Sequence, residues 1–479
     1  MKDLIKSLPV LEAARKKLDG ENIYHNFSID CSNEFLSFIK GKTYFIRTYG
    51  CQANVRDSEI LMGIFESIGM IETDKYLDAD VVILNTCAVR ENAVDKVYGE
   101  IGNLKGLKNR KEKVLCVCGC MVEQPHVVEK ILDKHNHINL LFGTHEVQNI
   151  LSYLETLMLS DTRRIVDIKS QSGQVYENLP SKRMNEFKAF VNIMYGCNKF
   201  CSYCIVPYTR GRERSRQMVE ILNECKELIK NGYKEITLLG QNVNAYGKDL
   251  SDGSSFALLL EEVAKLGIER LRFTTSHPYD FDEKMIDVIA KYDNIMKQIH
   301  LPVQSGNDEI LKLMARRYNS ESYKALIDKI RAKIPNIAFS TDIIVGFPNE
   351  TEEQFLDTIR MCEYVKYDSA FTFIYSKREG TPAAKMVDNV SDKEKHDRFN
   401  HLVETIEKYI EESSKKMVGK TFNVLVDGVS KNNQNNYSGY TECNKLVHFP
   451  SSDPHLVGRI VKVKIKESHT YSLMGELCE

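Results

Sequence analysis

Short apolar segments alternate with amphipathic helical segments over most of this 479-residue chain, and this alternation strongly restricts the possible folds. The first series has predicted strands at 43–48, 81–84 and 113–117 and predicted helices at 55–69, 92–105 and 125–132. Strands separated by helices pair in parallel, because the helix carries the chain back to the same end of the sheet. We therefore predict an N-terminal three-layer α/β domain with a parallel sheet over residues 43–160.

A longer series of the same kind follows and predicts a barrel. Its six predicted strands lie at 189–195, 235–239, 270–275, 298–301, 338–345 and 370–375. Six βα units are fewer than the eight of a closed βα barrel, so we predict a central partial (βα)6 barrel over residues 186–416. The loops that follow its strands would form the mouth of the barrel, where active sites are built.

The pattern changes after residue 416. Short predicted strands at 421–426, 437–442, 445–449 and 458–466, separated by Gly, Asn and Pro turns, predict a small C-terminal all-β, OB-like barrel over residues 417–479. Apolar residues alternate with Lys462, Lys464 and Lys466, so the three lysines share one face. We interpret this face as an RNA-binding surface. A solvated face, or one that protects an edge strand, is the alternative.

The other segments and the composition set wider limits. Residues 1–42 are predicted to be a polar extension and 161–185 a linker. The apolar runs are far shorter than the roughly 20 residues that span a bilayer, and no secretory segment is recognisable. We predict a soluble, cytoplasmic monomer without membrane contact. The formal charge of −2 gives no overall sign of nucleic-acid binding. Thirteen cysteines in a reducing compartment favour metal or redox chemistry over disulfides.

Three cysteines follow the first predicted barrel strand with spacings of three and two residues, namely Cys197, Cys201 and Cys204. Three thiolates from one loop can hold three irons of a 4Fe-4S cluster and leave the fourth iron open to a small molecule. Structural zinc usually needs four ligands, and no second pair is nearby in sequence, which disfavours zinc. The spacing, with Tyr203 before the last cysteine, resembles the signature of the radical S-adenosylmethionine superfamily. This resemblance implies that the open iron binds S-adenosylmethionine, whose cleavage forms a 5'-deoxyadenosyl radical.

A second set of cysteines stands just past the three strands of the first series: Cys51, Cys87 and Cys120. Ligand-binding residues gather at the carboxyl ends of parallel strands, so these thiols should converge and hold a second cluster. Cys116 and Cys118 would share a strand face with Cys120. We predict that both are core residues, because buried free cysteine behaves as a small hydrophobe.

Polar residues in the loops at the predicted barrel mouth suit an amino acid carboxylate, a ribose and an adenine. The candidates for S-adenosylmethionine binding are Tyr203, Gly240, Gln241, Asn242, Ser276, Gln304, Ser305, Tyr375 and Arg378. Each one taken alone could be an ordinary loop residue.

Positive charge is concentrated between residues 182 and 216, where eight Lys or Arg stand against two Glu. Such a run could guide a phosphate backbone towards the cluster loop. The predicted RNA-binding residues are Arg210, Arg212, Arg214 and Arg216. A solvated surface is an equally good interpretation from charge alone.

The three predicted parts together resemble the methylthiotransferases, which combine a three-cysteine domain, a radical S-adenosylmethionine barrel and a C-terminal TRAM domain. The segments 85–93, NTCAVRENA, and 207–211, PYTRG, are similar to the bacterial MiaB branch. This resemblance implies an enzyme that converts N6-isopentenyladenosine beside the tRNA anticodon to its 2-methylthio derivative. Two 4Fe-4S clusters and S-adenosylmethionine would be the cofactors. The partners would be the tRNA anticodon stem-loop and an electron donor such as flavodoxin or ferredoxin, with the sulfur donor left open.

The same resemblance implies a division of labour between the clusters. The adenine C2–H bond is not acidic enough for a general base, so a radical formed at the Cys197 loop would remove the hydrogen. The cluster at Cys51, Cys87 and Cys120 would hold a sulfide that a first S-adenosylmethionine methylates, and a second S-adenosylmethionine would start the radical step.

Two alternatives stay open. The same chemistry could act on threonylcarbamoyladenosine in tRNA or on an aspartate of a ribosomal protein. The protein could instead be an RNA-binding iron-sulfur sensor or electron-transfer protein without group transfer.

Overall fold

The computed structural model describes residues 22–88, 91–107, 113–168, 174–431 and 433–478, and its N-terminal domain is a three-layer α/β unit. Its elements are β1 (Ile23–Asn26), α1 (Asn33–Ile39), β2 (Thr43–Thr48), α2 (Gln52–Ser67), β3 (Ile71–Glu72), β4 (Val81–Thr86), α3 (Glu91–Asn103), β5 (Val114–Gly119), α4 (Pro125–Lys134), β6 (Leu140–Phe142), α5 (Ile150–Leu159), β7 (Ile165–Asp167) and β8 (Gln174–Glu177). The six strands of the main sheet run in the order β3-β2-β4-β5-β6-β7 and all pair in parallel.

The central strands β4 and β5 are buried along their whole length because helices cover both faces of the sheet. One core contains Ile83 and Cys116 with side chains of α1, α2 and α5. The opposite core contains Val82 and Val117 with side chains of α3 and α4. Cys116 and Cys118 both belong to the first core, which confirms their prediction as core residues.

Two predicted boundaries need correction. The segment 161–185, predicted as a linker, contains β7, the sixth strand of the main sheet, and β8. The extension contains β1, which pairs with β8, and α1, whose Phe35 and Ile39 are fully buried in the domain core. Residues 1–21 lie outside the described residues. These elements are short, at most seven residues each, and polar residues flank them, so no strand or helix pattern stood out in the sequence.

The central domain begins with β9 (Lys188–Asn192) and contains six parallel barrel strands. Its further elements are β10 (Met194–Tyr195), α6 (Val206–Thr209), β11 (Arg214–Ser215), α7 (Met218–Lys230), β12 (Glu235–Leu239), α8 (Phe256–Lys265), β13 (Arg270–Phe273), α9 (Glu283–Lys291), β14 (Gln298–His300), α10 (Asp308–Leu313), α11 (Ser320–Lys333), β15 (Ala338–Val345), α12 (Glu352–Val365), β16 (Ser369–Ile374) and α13 (Asp392–Lys415). The strands form two sheets, β9-β12-β13 and β14-β15-β16, joined by a bridge between Leu271 and Ile295. This arrangement confirms the partial (βα)6 barrel.

The C-terminal domain is a closed barrel of β17 (Thr421–Val429), β18 (Asn436–Tyr440), β19 (Leu446–Pro450), β20 (Ile460–Ser468) and β21 (Ser472–Leu477). The order is β17-β18-β19-β21-β20, and the β19–β21 pair is parallel while the others are antiparallel. This confirms the OB-like barrel. Lys462, Lys464 and Lys466 are exposed while Val463 and Ile465 face the core. Because β20 pairs on both sides, the lysines form a face and not an edge, which excludes edge protection.

Two arginines attach this barrel to the central domain. Arg270 and Arg272, on β13, donate to main-chain carbonyls of the C-terminal barrel, including Tyr440 at 2.9 Å from Arg270 Nη1 and Thr441 at 3.1 Å from Arg272 Nη2. Glu235 accepts from Arg272 Nε at 2.9 Å and fixes its orientation. No helix among the described residues is long and apolar enough to cross a membrane.

Candidate functional site

The Cys197 loop follows the first barrel strand and is shaped by close backbone approaches. Gly196 has φ +76°, and a Cβ there would lie 2.0 Å from the carbonyl oxygen of Arg212. Only glycine fits this position. The Cys197 amide donates to the Gly211 carbonyl at 3.1 Å, and the Cys204 amide donates to that of Cys201 at 3.0 Å. Backbone hydrogen bonds therefore fix the conformation of the loop at both Cys197 and Cys204.

The three thiols of this loop lie in a largely buried environment. Cys197 is 9% and Cys201 6% exposed. Burial raises the pKa of Cys197 well above its usual value and that of Cys204 to about 12. A metal would have to displace these thiol protons, which is the usual coupling between metal binding and proton release.

Arg316 supplies positive charge at this triad and was missed by the sequence analysis. Its Nη1 donates to Cys201 Sγ at 3.4 Å, and its Nη2 donates to the Pro302 carbonyl at 3.1 Å. Arg316 follows α10, more than a hundred residues from the cysteines, so only the pair of charges Arg316–Arg317 after a helix could have drawn attention to it.

The second triad comes from three separate strand ends, as predicted. Cys51 is the N-cap residue of α2, Cys87 follows β4, and Cys120 follows β5. A hydrogen bond with the Cys87 thiol is the largest cause that lowers the pKa of Cys51, to about 5, against the opposing effect of burial. Burial raises the pKa of Cys120 to about 11, although Arg210 opposes it. The structure thus brings the predicted thiols of the second set together.

A pair of buried asparagines holds these strand ends in register. Asn54 Nδ2 donates to Asn85 Oδ1 at 3.1 Å and to the Thr86 carbonyl at 2.9 Å, and Asn85 Nδ2 donates back to the Asn54 carbonyl at 2.9 Å. Thr86 Oγ1 donates to the Cys118 carbonyl at 2.6 Å. These residues flank the cysteines in QAN and NTC, which is the signal that could have identified them.

Close contacts leave no room for a side chain at two glycines beside the second triad. A Cβ on Gly50 would lie 2.3 Å from Cys87 Cβ, and one on Gly119, at φ +94°, would lie 2.4 Å from the Thr86 carbonyl oxygen. Among the described residues, no three Cys, His, Asp or Glu side chains surround one point as ligands of a single ion would. Thiolates that bind different irons of one cubane stand further apart than ligands of a single ion.

The segment that carries the first triad packs against the second triad across the boundary between the N-terminal and central domains. Phe200, Ile205 and Tyr208 of the cysteine loop pack in one buried cluster with Ala88 and Cys120. This contact places the Cys197 loop directly against the second triad. The neighbouring residues Val89 and Arg90 of the AVR sequence lie outside the described residues.

Unsatisfied polar atoms mark the barrel mouth. Among the described residues, buried atoms without a hydrogen-bond partner include Asn242 Oδ1, Ser276 Oγ, Gln304 Oε1 and the Tyr375 hydroxyl, all just past barrel strands. Buried polar groups normally have partners, so this group of acceptors and donors fits a polar ligand. S-adenosylmethionine, with its amino, carboxylate and hydroxyl groups, matches such a lining.

The other predicted mouth residues have structural partners. Ser305 is fully buried, and its hydroxyl lies 3.3 Å from Thr358 Oγ1 on α12, so the prediction of a ligand contact for Ser305 is wrong. Gln241 Oε1 accepts from the Gly196 amide at 2.6 Å and so positions the cysteine loop. Arg378 Nη1 donates to Ser376 Oγ at 3.1 Å. Tyr203 packs beside Tyr375, and Gly240 lies against Met194.

The arginine run does not form an exposed RNA surface. Arg210 is bonded to Asp57 and Cys120, Arg216 is paired with Glu177 and Glu224, and Arg214 Nη2 faces His145 Nδ1 at 3.3 Å. All three are buried, so their prediction as RNA contacts is wrong; a row of positive charge looks the same in sequence whether it faces solvent or buried carboxylates. Arg212 is partly exposed and lies over the Phe200 ring at 5.2 Å.

A buried ion-pair network joins the two domains near these sites. Glu224 on α7 accepts from Arg56 of α2 at 3.0 Å, from Arg183 at 2.6 Å and from Arg216 at 2.6 Å. Glu59 of α2 also accepts from Arg183 at 3.0 Å. The network connects α2, which carries Cys51 at its N-terminus, to α7 of the central domain.

Comparisons with known families divide the chain in the same way. Residues 43–143 match the model described as "Uncharacterized protein family UPF0004", residues 191–362 match the radical SAM superfamily, and residues 415–478 match the TRAM domain. The radical SAM family uses a 4Fe-4S cluster and S-adenosylmethionine.

Similar proteins span nearly the whole chain. A protein named tRNA-2-methylthio-N(6)-dimethylallyladenosine synthase from Bacillus cytotoxicus is 51% identical over 474 residues, which cover 98% of this chain and 92% of the relative. Proteins of the same name from Bacillus mycoides and Bacillus cereus strain B4264 are 50% and 52% identical, with the same coverage.

Solved structures support the fold. The radical S-adenosylmethionine methyltransferase TsrM from Kitasatospora setae, with tryptophan and a SAM analogue bound, matches with a TM-score of 0.53 at 14% identity, over 72% of this chain and 75% of that chain. A second TsrM structure, with cobalamin and a 4Fe-4S cluster bound, matches with the same score at 15% identity, over 72% of this chain and 74% of that chain. At this identity the likeness concerns the fold alone.

Proposed function

This chain belongs to the family of tRNA-2-methylthio-N6-dimethylallyladenosine synthases, and we propose that it adds a methylthio group to C2 of N6-isopentenyladenosine beside the tRNA anticodon. The observation that carries the proposal is the juxtaposition of two cysteine triads across a domain boundary. One triad follows the first strand of a radical SAM barrel, and the other closes the end of a parallel sheet.

The residues present fit two iron-sulfur clusters and S-adenosylmethionine. When bound, these groups supply the electron and the radical for C–H cleavage and the sulfur that is inserted. Cys197, Cys201 and Cys204 would hold the first cluster, and Cys51, Cys87 and Cys120 the second. The unpartnered polar atoms at the barrel mouth would orient S-adenosylmethionine. Phe200 and Tyr208, from the loop and helix that carry and follow the first triad, pack against Cys120 of the second triad and exclude water from this contact.

Reconstitution with hypomodified tRNA tests this function. The anaerobically reconstituted chain with S-adenosylmethionine and reductant should form 2-methylthio-N6-isopentenyladenosine, detected by mass spectrometry of digested nucleosides. If the methylthio product forms only on threonylcarbamoyladenosine tRNA or on a ribosomal protein, the same chemistry acts on another acceptor. Absence of any methylthio product together with absence of 5'-deoxyadenosine would contradict the enzyme assignment and favour a sensor or electron carrier. A flavodoxin or ferredoxin should replace the chemical reductant.

Replacement of Cys87 by alanine should separate the two clusters functionally. Cys87 supports only the second triad, so we expect loss of methylthio product while cleavage of S-adenosylmethionine to 5'-deoxyadenosine continues uncoupled. Both products are measured in the same reaction by liquid chromatography and mass spectrometry. Cys116→Ala is the matched control, because this thiol belongs to the core of the same domain and should retain thiolation. Full thiolation by Cys87→Ala would show that the second cluster is held elsewhere.

Neutralising the lysine face should weaken tRNA binding. For duplex nucleic acid, each phosphate contact contributes roughly 0.9 to the slope of log K against log salt. Replacement of Lys462, Lys464 and Lys466 by glutamine should therefore reduce the magnitude of this slope by about 2. Lys466 contributes less than the others, because Glu476 pairs with it at 2.5 Å. Filter binding over a salt series measures the slope. Substitution of the exposed Lys284, Lys291 and Lys329 on the barrel helices is the control. Equal slopes for both triple variants would remove the lysine face from the RNA interface.

A further inference from the structure

Arg210 belongs to the segment after the first cysteine loop, but its guanidinium group lies in the second triad. Its Nε donates to Cys120 Sγ at 3.2 Å, and its Nη2 donates to Asp57 Oδ2 at 2.7 Å. The side chain is 7% exposed. The cysteine comes from β5 of the N-terminal domain and the arginine from the central domain, so this hydrogen bond crosses the domain boundary.

Arg210 is held in place from both ends. Its amide donates to the Val206 carbonyl at 2.8 Å, and the preceding carbonyl, of Thr209, accepts from Thr144 Oγ1 of the N-terminal domain at 2.8 Å. Asp57, on α2, holds the outer side of the guanidinium. The group therefore cannot swing towards solvent without opening the contact between the domains.

The burial of this charge has a cost that nearby negative groups must offset. Removing a guanidinium from water costs several kcal/mol, and the charge is retained where negative groups compensate it. Asp57 provides one negative charge. The thiolates of a loaded second triad would provide more, and Nε already points at one of these sulfurs. Charge-assisted hydrogen bonds of this kind are stronger than neutral ones.

We propose that Arg210 is a positioning residue of the second cluster, which it stabilises from across the domain boundary by a charge-assisted hydrogen bond to the sulfur of Cys120. This inference rests on the proposed function for the presence of that cluster. Hydrogen bonds to cluster sulfurs and nearby positive charge favour the reduced form, which carries one more electron. Arg210 therefore raises the reduction potential of the second cluster. Because the residue comes from the central domain, this effect requires correct docking of the two domains.

The first triad has a similar arrangement within one domain. Arg316 Nη1 donates to Cys201 Sγ at 3.4 Å. Among the described residues, an arginine is thus hydrogen-bonded to one thiol of each triad, and Arg210 differs from Arg316 in reaching its cysteine from the other domain.

The test is a redox titration of the second cluster alone. Full-length chains with Cys197, Cys201 and Cys204 replaced by alanine are reconstituted anaerobically, and the midpoint potential is followed by electron paramagnetic resonance with dithionite as the one-electron source. In this background, the parent chain with Arg210 is compared with the Arg210→Gln and Arg210→Lys variants. Arg212→Gln is the matched control, since Arg212 lies in the same loop but contacts the Phe200 ring.

The expected result is a more negative potential for Arg210→Gln, a smaller shift for Arg210→Lys, which keeps the charge, and no shift for Arg212→Gln. An unchanged potential in Arg210→Gln, or an equal shift in Arg212→Gln, would overturn the proposal. If Arg210→Gln binds no cluster, the midpoint potential of Arg210→Lys is compared with that of the parent. A more negative value supports the proposal, and an unchanged value contradicts it. Loss of the cluster from both variants would overturn the proposed effect on potential and leave Arg210 a structural residue. The titration uses neither tRNA nor S-adenosylmethionine, so a failure of the proposed function would be seen separately.

Discussion

Replacement of Cys201 by alanine should abolish both 5'-deoxyadenosine formation and methylthio transfer. Cys201 is the central member of the first triad, and it is the thiol to which Arg316 donates. With two thiolates left, the loop cannot hold a cluster with three protein ligands, and the radical step has no source. Chromatographic analysis of the reconstituted variant should detect neither product, a loss of at least a thousandfold against the unmodified chain, equivalent to about 4 kcal/mol of activation free energy.

Cys225→Ala is the matched control for this prediction. Cys225 is also buried, but it lies on the core face of α7, where burial raises its pKa to about 12. Its replacement should cost about 1 kcal/mol of stability and leave both products. Formation of 5'-deoxyadenosine by Cys201→Ala, or its loss in Cys225→Ala, would contradict the assignment of the first triad.

Substitution of Glu224 by glutamine should markedly lower the stability of the folded chain. Glu224 is 18% exposed and accepts from Arg56, Arg183 and Arg216. Removing the shared carboxylate leaves buried guanidinium groups without full compensation, which should lower the free energy of unfolding by about 3 kcal/mol at neutral pH. Thermal unfolding of the full chain should show this loss as a lower midpoint temperature of the first unfolding transition. Glu227→Gln, an exposed position on the same helix, should leave the transition unchanged.

The stabilisation by Glu224 should also depend on pH. Burial would raise the pKa of this carboxyl, but the three arginines outweigh burial and lower it from 4.5 to about 2. A carboxyl with a lowered pKa in the folded state contributes its full stability above its unfolded pKa and loses it as the pH falls towards the folded value. The difference between the unmodified chain and Glu224→Gln should therefore be constant above about pH 5 and shrink towards pH 2. A difference that persists unchanged at pH 3 would show that the carboxylate charge is not its source.

Local sequence patterns predicted the architecture because they are set by local physics. The alternation of apolar strands with amphipathic helices predicts parallel sheets without any knowledge of contacts, and the three domains follow from where this alternation starts, pauses and stops. The linker prediction was wrong because β7 and β8 are only three and four residues long, too short for a clear strand pattern, and their position is decided by pairing with β6 and β1.

The six cysteines were predictable for two different reasons. Cys197, Cys201 and Cys204 lie in one loop, so their spacing alone limits their distances. Cys51, Cys87 and Cys120 are far apart in sequence, but each follows a strand of one parallel sheet, whose carboxyl ends must lie together. The asparagine pair of Asn54 and Asn85 escaped prediction because its hydrogen bonds join residues 31 positions apart.

The sequence by itself determined the fold class, the order of domains and the residues with the chemistry to hold iron-sulfur clusters, since these depend on periodicity and spacing along the chain. Only the tertiary structure decided which charges face solvent and which face each other. Arg210 and Lys464 are both members of basic runs, yet Arg210 bonds Cys120 in a buried contact while Lys464 remains on an exposed face. Burial and ionic pairing depend on surfaces brought together from distant segments, which no local pattern records.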